Sequence, residues 1–226
     1  VFDKHTMEIV DVIATGSGPQ GIALDRERGR VYVATSGGDA VDLFDVATGE
    51  STGRIKLHFN DEPVDLALTA DGRILVSANY GSNTASIIDA DSQFERNRAR
   101  LDAEPTWVII EPAGRQAYLF HPFSGTVSVV DSARNGTAAN RTLEEGAHKG
   151  AISPEGDELY VISPRSPNLL VVDPGTLGVR QRIFIGGGAI SIRVDNQTGL
   201  IYVGKNSGEI MVIDPSALMF IDSFGV

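Results

Sequence analysis

Val-Ser-Val-Val-Asp at residues 127–131 is the stretch that decides the fold, because close copies of it recur along the chain. Each copy is an apolar run that ends on an aspartate, and these aspartates follow one another at intervals of 42, 44, 42, 42 and 41 residues. A period of about 40 residues built from short apolar strands is typical of a propeller, because each repeat is one sheet that cannot bury its faces alone. The closing aspartates are Asp3, Asp45, Asp89, Asp131, Asp173 and Asp214.

Aligning the copies on this aspartate predicts four antiparallel strands in each repeat. The innermost strand begins at residues 21, 65, 107, 149 and 191, and a turn containing glycine leads to the second strand. The repeated phrase is the third strand, and a more polar outer strand is predicted at residues 8–13, 53–57, 98–101, 180–185 and 219–223. We therefore predict an all-β fold, in which residues 1–226 form a single β-propeller domain of four-stranded antiparallel blades.

The number of blades is left open by the pattern. Five repeats are complete, and the segment at residues 8–13 is an extra outer strand. A five-blade ring closed by that strand fits, and so does part of a six- to eight-blade ring, which the start of the chain inside a blade favours. An open arc would expose two apolar blade faces, and we expect such faces to associate with something that covers them.

Composition narrows the classes of function. The net charge of −11 argues against a surface for nucleic acid or an anionic membrane, because both need clustered cations. The chain has no cysteine, which excludes disulfides, thiol catalysis and cysteine-bound metals. No apolar run approaches the roughly 20 residues of a membrane span. Neither a nucleophile elbow nor a phosphate-binding loop occurs, so no catalytic residue and no cofactor is predicted.

When the repeats are aligned, the residue at the first position of the inner strand differs in chemistry from copy to copy, whereas the residue at the next position is mostly apolar. The first residues of the inner strands are Gly21, Asp65, Trp107, Lys149 and Ser191. Such variation is expected of residues that line the mouth of the central channel, where a tryptophan beside two charges could orient a small ligand. The plainer alternative is that Asp65 and Lys149 neutralise each other in a wet channel. Our predicted ligand-binding residues are Asp65, Asn79, Trp107, His121, Lys149 and Arg165.

Histidines raise a separate metal hypothesis. His58, His121 and His148 are all expected at the end of the channel where the loops before the first strand and after the second strand gather. Imidazole is a common metal ligand, but these residues come from different blades and their spacing matches no metal motif. We therefore predict no metal site and a hydrogen-bonded structural role for His121. The same end carries an excess of acidic residues, which predicts an acidic surface.

The repeats resemble the YVTN family of β-propeller repeats, in which a Tyr-Val-Thr-Asn strand leads into a Val-Ser-Val-Ile-Asp strand. Residues 127–131 are nearly the second of these strands, and the first corresponds to Tyr-Val-Ala-Thr at 32–35, Val-Ser-Ala-Asn at 76–79, Tyr-Leu-Phe-His at 118–121 and Tyr-Val-Ile-Ser at 160–163. Among these four, only Asn79 keeps the asparagine of the motif. The resemblance implies a propeller like those of surface-layer and exported bacterial proteins, and more distantly lactonase-like propellers. The shared residues are structural, so no catalytic role carries over.

The sequence indicates the function of the protein less directly than its fold. The sequence favours a non-catalytic, exported propeller, periplasmic or extracellular, which binds a protein partner or a small ligand through the loops at one end of the channel. One alternative is a lactonase-like hydrolase with a site at the channel mouth, which would need acidic and basic residues from several blades to point inward. Another is a propeller that bears a cofactor or docks a redox protein. A c-type haem attachment is excluded because it requires cysteine.

Overall fold

Twenty strands form five four-stranded antiparallel sheets in the computed structural model, which describes residues 1–3, 5–101, 103–132, 137–143, 146–217 and 219–225. Sheets 1 and 2 contain β1 (Pro19–Asp25), β2 (Arg30–Thr35), β3 (Ala40–Asp45), β4 (Ser51–Lys56), β5 (Pro63–Leu68), β6 (Ile74–Asn79), β7 (Thr84–Asp89) and β8 (Phe94–Arg100). A short 3-10 turn, Ser36–Gly38, joins β2 to β3.

The other three sheets repeat the same up-and-down order. They contain β9 (Trp107–Ile110), β10 (Gln116–His121), β11 (Thr126–Asp131), β12 (Thr137–Thr142), β13 (Lys149–Ile152), β14 (Leu159–Ile162), β15 (Asn168–Val172), β16 (Val179–Phe184), β17 (Ala189–Val194), β18 (Ile201–Lys205), β19 (Glu209–Asp214) and β20 (Met219–Gly225). No helix among the described residues is long and apolar enough to cross a membrane.

The repeated aspartate shapes the turn that follows the third strand. The Asp45 carboxylate accepts hydrogen bonds from the backbone N–H groups of Ala47 and Thr48, each at 2.9 Å. Asp89 accepts the equivalent bonds from Asp91 and Ser92. Such a bond lets the side chain satisfy turn donors that would otherwise lack a partner, which explains why aspartate recurs there.

These turns make the fold sensitive to acid. The N–H of Thr48 holds the pKa of Asp45 below its usual range, and the N–H of Thr176 does the same for Asp173. A carboxylate with a lowered folded pKa contributes stability above its unfolded pKa and loses that contribution as pH falls through the folded pKa. We therefore expect the melting temperature, followed by circular dichroism, to fall steadily below about pH 4. A constant melting temperature from there down to about pH 2 would contradict this account.

Glycines close the turns between first and second strands, as the sequence predicted. A left-handed backbone, with φ between 62° and 79°, occurs at each of the five positions. Glycine adopts this conformation without a steric penalty, so it suits every copy of the turn. These residues are Gly29, Gly72, Gly114, Gly156 and Gly199.

Two outer strands differ from the prediction. Residues 8–13 do not complete sheet 5, because β20 already occupies its outer edge. Instead the N-terminal residues form a small hairpin with a bridge between Phe2 and Ile9, and Asp3 turns it by accepting the N–H groups of His5 and Thr6. The second difference is β12, which the sequence analysis did not identify. Its sequence, Thr-Ala-Ala-Asn-Arg-Thr, contains no large apolar residue, unlike the outer strands that the sequence analysis identified.

The core lies between neighbouring sheets. Four hydrophobic clusters of described residues fill the spaces between sheets 1 and 2, 2 and 3, 3 and 4, and 4 and 5. The inner strands pack in the order β1, β5, β9, β13, β17. Strands β17 and β1, both fully described, lack the extensive contact that joins each of these neighbours, and Ile22 and Leu24 on β1 remain 66% and 46% exposed. Among the described residues, the close packing that joins successive sheets is therefore not repeated between sheet 5 and sheet 1.

Candidate functional site

The inner strands surround a cavity of about 340 Å³ along the central channel. Residues from β1, β5, β9, β13 and β17 line it, so every sheet contributes to its wall. The wall is mostly aliphatic, with Asp65, Trp107 and Arg193 as its polar or aromatic members. Although most of the lining residues are aliphatic, the surface that they expose to the cavity is slightly more polar than apolar.

Trp107 is the centre of the polar part of this site. Its indole Nε1 donates a 3.0 Å hydrogen bond to the carbonyl oxygen of Gly150 on β13, which fixes the ring. The Lys149 ammonium lies 4.5 Å from the centroid of the ring, and the Arg193 guanidinium carbon lies 4.8 Å from it. Both distances are those of cation–π contacts. One aromatic ring thus holds two cations from different sheets.

Asp65 is the acidic member of the site and is 8% exposed. Its Oδ2 accepts a 2.9 Å hydrogen bond from the N–H of Val108 on the next sheet. Burial raises the pKa of Asp65 to about 6, while this N–H and the charges of Arg193 and Lys149 act in the opposite direction. Gly21 allows the close packing here, because a Cβ at that position would lie 2.5 Å from the Cα of Asp65.

The structure thus brings together three of the six predicted site residues, Asp65, Trp107 and Lys149, and adds Arg193. The sequence analysis had chosen Ser191 for the last position of the column. Arg193 lies two residues further along β17, after a register irregularity between Ala189 and Ser191, and its long side chain reaches Trp107. Residues two apart on a strand share a face, which is the signal that could have identified it.

Comparison with known proteins addresses the fold. No family model and no curated protein matches the chain. The β-propeller domain of Cps50 (Swd1) from Myceliophteria thermophila superposes with a TM-score of 0.83 at 16% identity, over 97% of this chain and 74% of that one. Hydrazine synthase from Kuenenia stuttgartiensis gives a TM-score of 0.77 at 21% identity, over 91% of this chain and 65% of that one. The chain is a β-propeller. At these identities the similarity establishes the fold alone.

The other predicted site residues lie elsewhere in the propeller. Asn79 is fully buried at the end of β6, where its side-chain amide donates to Thr84 and Ser86. His121 is 1% exposed, and its Nε2 lies 2.8 Å from the Ser128 hydroxyl, so it is buried and hydrogen-bonded within its sheet. Arg165 is exposed and lines a groove between sheets 3 and 4. None of these three residues lines the channel cavity.

The histidines and acidic residues that were expected at the mouth of the channel do not form one cluster among the described residues. Among the described residues, no three histidine or carboxylate side chains come together in a way that could hold a metal ion. His58 is exposed with its Nε2 3.9 Å from a Glu95 oxygen. Burial, and then the charge of Lys149, lowers the pKa of His148. Of the acidic residues expected at this end, Asp102, Glu144 and Glu145 lie outside the described residues.

A buried ion pair supports the loop that carries His58. Arg98 on β8 donates to both oxygens of Asp61, at 2.8 and 2.7 Å, and to Glu95 at 2.7 and 2.8 Å. Asp61 is fully buried and also accepts a 2.8 Å bond from the N–H of His58. The Arg98 hydrogen bond lowers the pKa of Asp61 against the opposing effect of burial. This pair therefore ties the loop between sheets 1 and 2 to the outer edge of sheet 2.

Three exposed phenylalanines mark the same end of the propeller as the channel mouth. Phe59 lies in the loop from β4 to β5, Phe123 in the turn from β10 to β11, and Phe184 at the last position of β16. Their exposed fractions are 94%, 75% and 74%. The sequence analysis did not single them out, although a phenylalanine within a loop is a signal that could have identified Phe59 and Phe123. We call these three residues the phenylalanine surface.

Proposed function

We propose that this chain is a non-catalytic, exported β-propeller that binds a partner protein or a ligand through the end that bears the channel mouth. The phenylalanine surface is the observation that carries the proposal. Apolar side chains of this size are usually buried, and apolar groups left on a surface commonly mark an interaction site. Aromatic residues are also enriched in the cores of protein interfaces.

The position of the three phenylalanines fits a partner that spans several sheets. They come from the loop before sheet 2, from sheet 3 and from sheet 4, so one docked surface would contact several repeats at once. The channel cavity opens among the same repeats, and its site can add charged contacts to this apolar set. The combination of apolar anchors with a few charges is typical of specific interfaces.

The phenylalanine surface can be tested against a matched control in the same chain. We expect the triple variant F59S/F123S/F184S to lose at least about tenfold of the capture of a partner from an extract of the producing cells, because each substitution removes an apolar contact worth about 1 kcal/mol or more. Phe94 is equally exposed, at 74%, but begins β8 at the opposite end. F94S should therefore capture the partner as the unaltered protein does, and melting temperatures should confirm that both variants fold. Equal losses in both variants would refute the proposal.

Export is the second part of the proposal. It is supported by the resemblance of the repeats to YVTN repeats, which occur in exported bacterial proteins. Fractionation of the producing cells should place the full-length protein in the periplasmic or extracellular fraction. Recovery in the cytoplasmic fraction alone would contradict it.

A lactonase-like hydrolase is the second candidate, and Asp65 is the observation that favours it. A carboxyl group with a pKa of about 6 is suited to general acid–base catalysis near neutral pH. Asp65 is, however, the one carboxylate among the described residues that line the cavity. A hydrolase would show turnover of simple lactones that disappears in D65N, whereas the binding function predicts no turnover in either protein.

A further inference from the structure

The N-terminal hairpin, residues 1–13, contains the same turn that joins the third and fourth strands of the sheets. The Asp3 carboxylate accepts the backbone N–H groups two and three residues further on, at 2.7 and 3.0 Å, and the Asp45 carboxylate does the same in sheet 1. The hydroxyl oxygen of Thr6 accepts the N–H two residues further on, as that of Thr48 does. The residue four positions after each aspartate has a left-handed backbone, with φ of 58° and 69°.

The register of the hairpin is also that of a complete sheet. In each copy, the residue before the aspartate pairs with the residue six positions after the aspartate. The six pairs are Phe2 with Ile9, Phe44 with Ser51, Ile88 with Glu95, Val130 with Thr137, Val172 with Val179 and Ile213 with Phe220. Residues 1–3 and 8–13 therefore correspond to the third and fourth strands of a sheet.

Burial distinguishes the hairpin from the five complete sheets. Val1 and Phe2 are 59% and 64% exposed, whereas their equivalents in the five sheets are at most 7% exposed. These equivalents are Leu43, Phe44, Ile87, Ile88, Val129, Val130, Val171, Val172, Val212 and Ile213. Large apolar side chains left exposed together commonly mark a surface that something else covers.

One edge of the hairpin is free to pair with another strand. Backbone hydrogen bonds of 2.9 and 3.0 Å on either side of the Phe2–Ile9 pair join its two strands, so the N–H and C=O of Phe2 point to the opposite edge. No described residue bonds to these two groups. In all five sheets the second strand occupies this edge of the third strand. An unpaired edge of this kind is a template for strand addition.

The adjoining face of sheet 1 is uncovered as well. Ile22 on β1 is 66% exposed, whereas its equivalents in three other sheets are 5% exposed or less, because each packs on the preceding sheet. These equivalents are Leu66, Val108 and Ile192. The hairpin segment lies beside sheet 1, since a Cβ at Gly49 would be 3.3 Å from the Ile13 side chain. The uncovered face and the free edge thus both belong to the position that precedes sheet 1.

We propose that the N-terminal hairpin and this face of sheet 1 bind a β-hairpin from a polypeptide outside residues 1–226, and that the four strands form a sixth sheet. The second strand of the added hairpin pairs with residues 1–3, and its first strand covers Ile22. In strand addition the main-chain hydrogen bonds supply affinity and the alternate side chains supply specificity. A second copy of this chain does not fit, because each of its described first and second strands is already paired within its own sheet.

The five sheets define the chemistry of the added strand. The residue opposite the Phe2 equivalent is apolar in every sheet, and the residue opposite the Val1 equivalent is tyrosine in four sheets and valine in one. These neighbouring residues are Val31 and Tyr32, Leu75 and Val76, Ala117 and Tyr118, Leu159 and Tyr160, and Ile201 and Tyr202. We therefore expect an apolar residue followed directly by an aromatic one in the strand that pairs with residues 1–3.

A graft from the same chain supplies a donor of this chemistry. Residues 149–170 contain the first and second strands of sheet 4 and lead directly to Val171, which is the equivalent of Val1. A copy of them placed immediately before Val1 therefore continues the register of the sheet. We expect the melting temperature, followed by circular dichroism, to rise by at least about 5 °C. Amide hydrogen exchange at Phe2 should slow at least about tenfold, because its N–H gains a partner.

Three variants of the grafted chain assign the effect to the proposed contacts. F2S should lose most of the rise in melting temperature, because it removes the apolar side chain that the added strands cover. Y160S, made in the added copy alone, should lose at least about half of the rise. V12S is the matched control, since Val12 is 80% exposed on the fourth strand and the third strand separates it from the added strands. V12S should therefore keep the full rise.

Defined results would overturn the sixth sheet. One is an unchanged melting temperature and exchange rate in the grafted chain, and another is an equal rise with residues 149–170 in shuffled order. Dimerisation of the unaltered chain that F2S abolishes, measured by light scattering, would assign the edge to a second copy instead. The phenylalanine surface is not altered in any of these proteins. A graft without effect would thus leave the protein-binding function standing, and intact partner capture by F59S/F123S/F184S would contradict that function while leaving the sixth sheet.

Discussion

Replacing Arg98 with methionine is expected to lower the free energy of unfolding by about 3–5 kcal/mol, the largest loss we predict for any single substitution in this chain. The reason is Asp61, whose side chain is fully buried and whose two oxygens both accept bonds from the Arg98 guanidinium. Without that guanidinium the carboxylate keeps the N–H of His58 but loses its countercharge. Glu95, which Arg98 also binds, would add a second uncompensated negative charge nearby.

Urea unfolding followed by circular dichroism measures this loss, and a neighbouring arginine supplies the control. Arg96 lies on the same strand and pairs with Asp89, but its side chain is 57% exposed. R96M should therefore cost no more than about 1 kcal/mol. If R98M proves too unstable to purify, the double variant D61N/R98M should recover part of the loss, because it removes the unpaired charge. Equal stabilities of R98M and R96M would show that the buried pair is not what holds the loop.

Replacing Asp65 with asparagine is expected to raise the free energy of unfolding at neutral pH by about 1–3 kcal/mol, an unusual direction for a buried residue. Its folded pKa of about 6 lies above the ordinary value of 3.8. A carboxyl group with a raised folded pKa contributes stability below its unfolded pKa and loses that contribution as pH rises through the folded pKa. Asparagine keeps an oxygen for the N–H of Val108 and cannot ionise, so it avoids the loss.

The advantage of D65N should depend on pH in a defined window. It should be largest above about pH 6 and disappear near about pH 4, where Asp65 of the unaltered protein is neutral in the folded state. Asp42 is the matched control, since it is 5% exposed but has its pKa lowered by Arg54, with N–O distances of 2.6 and 3.0 Å. D42N should therefore destabilise the protein at neutral pH. A destabilised D65N would show that Asp65 serves the packing of β5 and β9 rather than a ligand.

A residue that lowers the stability of the free protein is a reasonable sign of a binding role. Natural sites commonly retain charges that the fold alone would not favour, because a ligand or partner compensates for them. Asp65 and Lys149 both fit this pattern, since burial opposes the charged form of each. The stability measurement on D65N thus examines this site in the free protein.

The repeated apolar runs and glycine turns predicted most of the strands, and the prediction failed for segments that lack them. The third strands and the glycine turns were predicted correctly because the same hydrogen-bonding and steric requirements place similar residues at the same positions of every repeat. Strand β12 was missed because an outer strand needs hydrogen bonds but little apolar surface. Residues 8–13 were predicted to be an outer strand, and pairing with sheet 5 was one of two alternatives, because composition can suit an outer strand whereas the choice of neighbour depends on the rest of the fold.

The candidate site divides in the same way. The repeat register predicted that Asp65, Trp107 and Lys149 would meet, because equivalent positions of successive sheets form a ring around the channel. Arg193 was not predicted, because its contact with Trp107 depends on the position of another sheet and not on the sequence of its own repeat. The burial of Asn79 and His121 could not be predicted from the sequence either, since it depends on which strands cover them.

The amino-acid sequence by itself determined five antiparallel four-stranded sheets and the aspartate turns that close their third strands, because short connections make each sheet a local structure. Only the tertiary structure decided that Lys149 and Arg193, from different sheets, both contact the ring of Trp107. Which side chains meet across the channel depends on the rotation between successive sheets, which accumulates along the chain. Long-range packing fixes that rotation, and no single repeat encodes it.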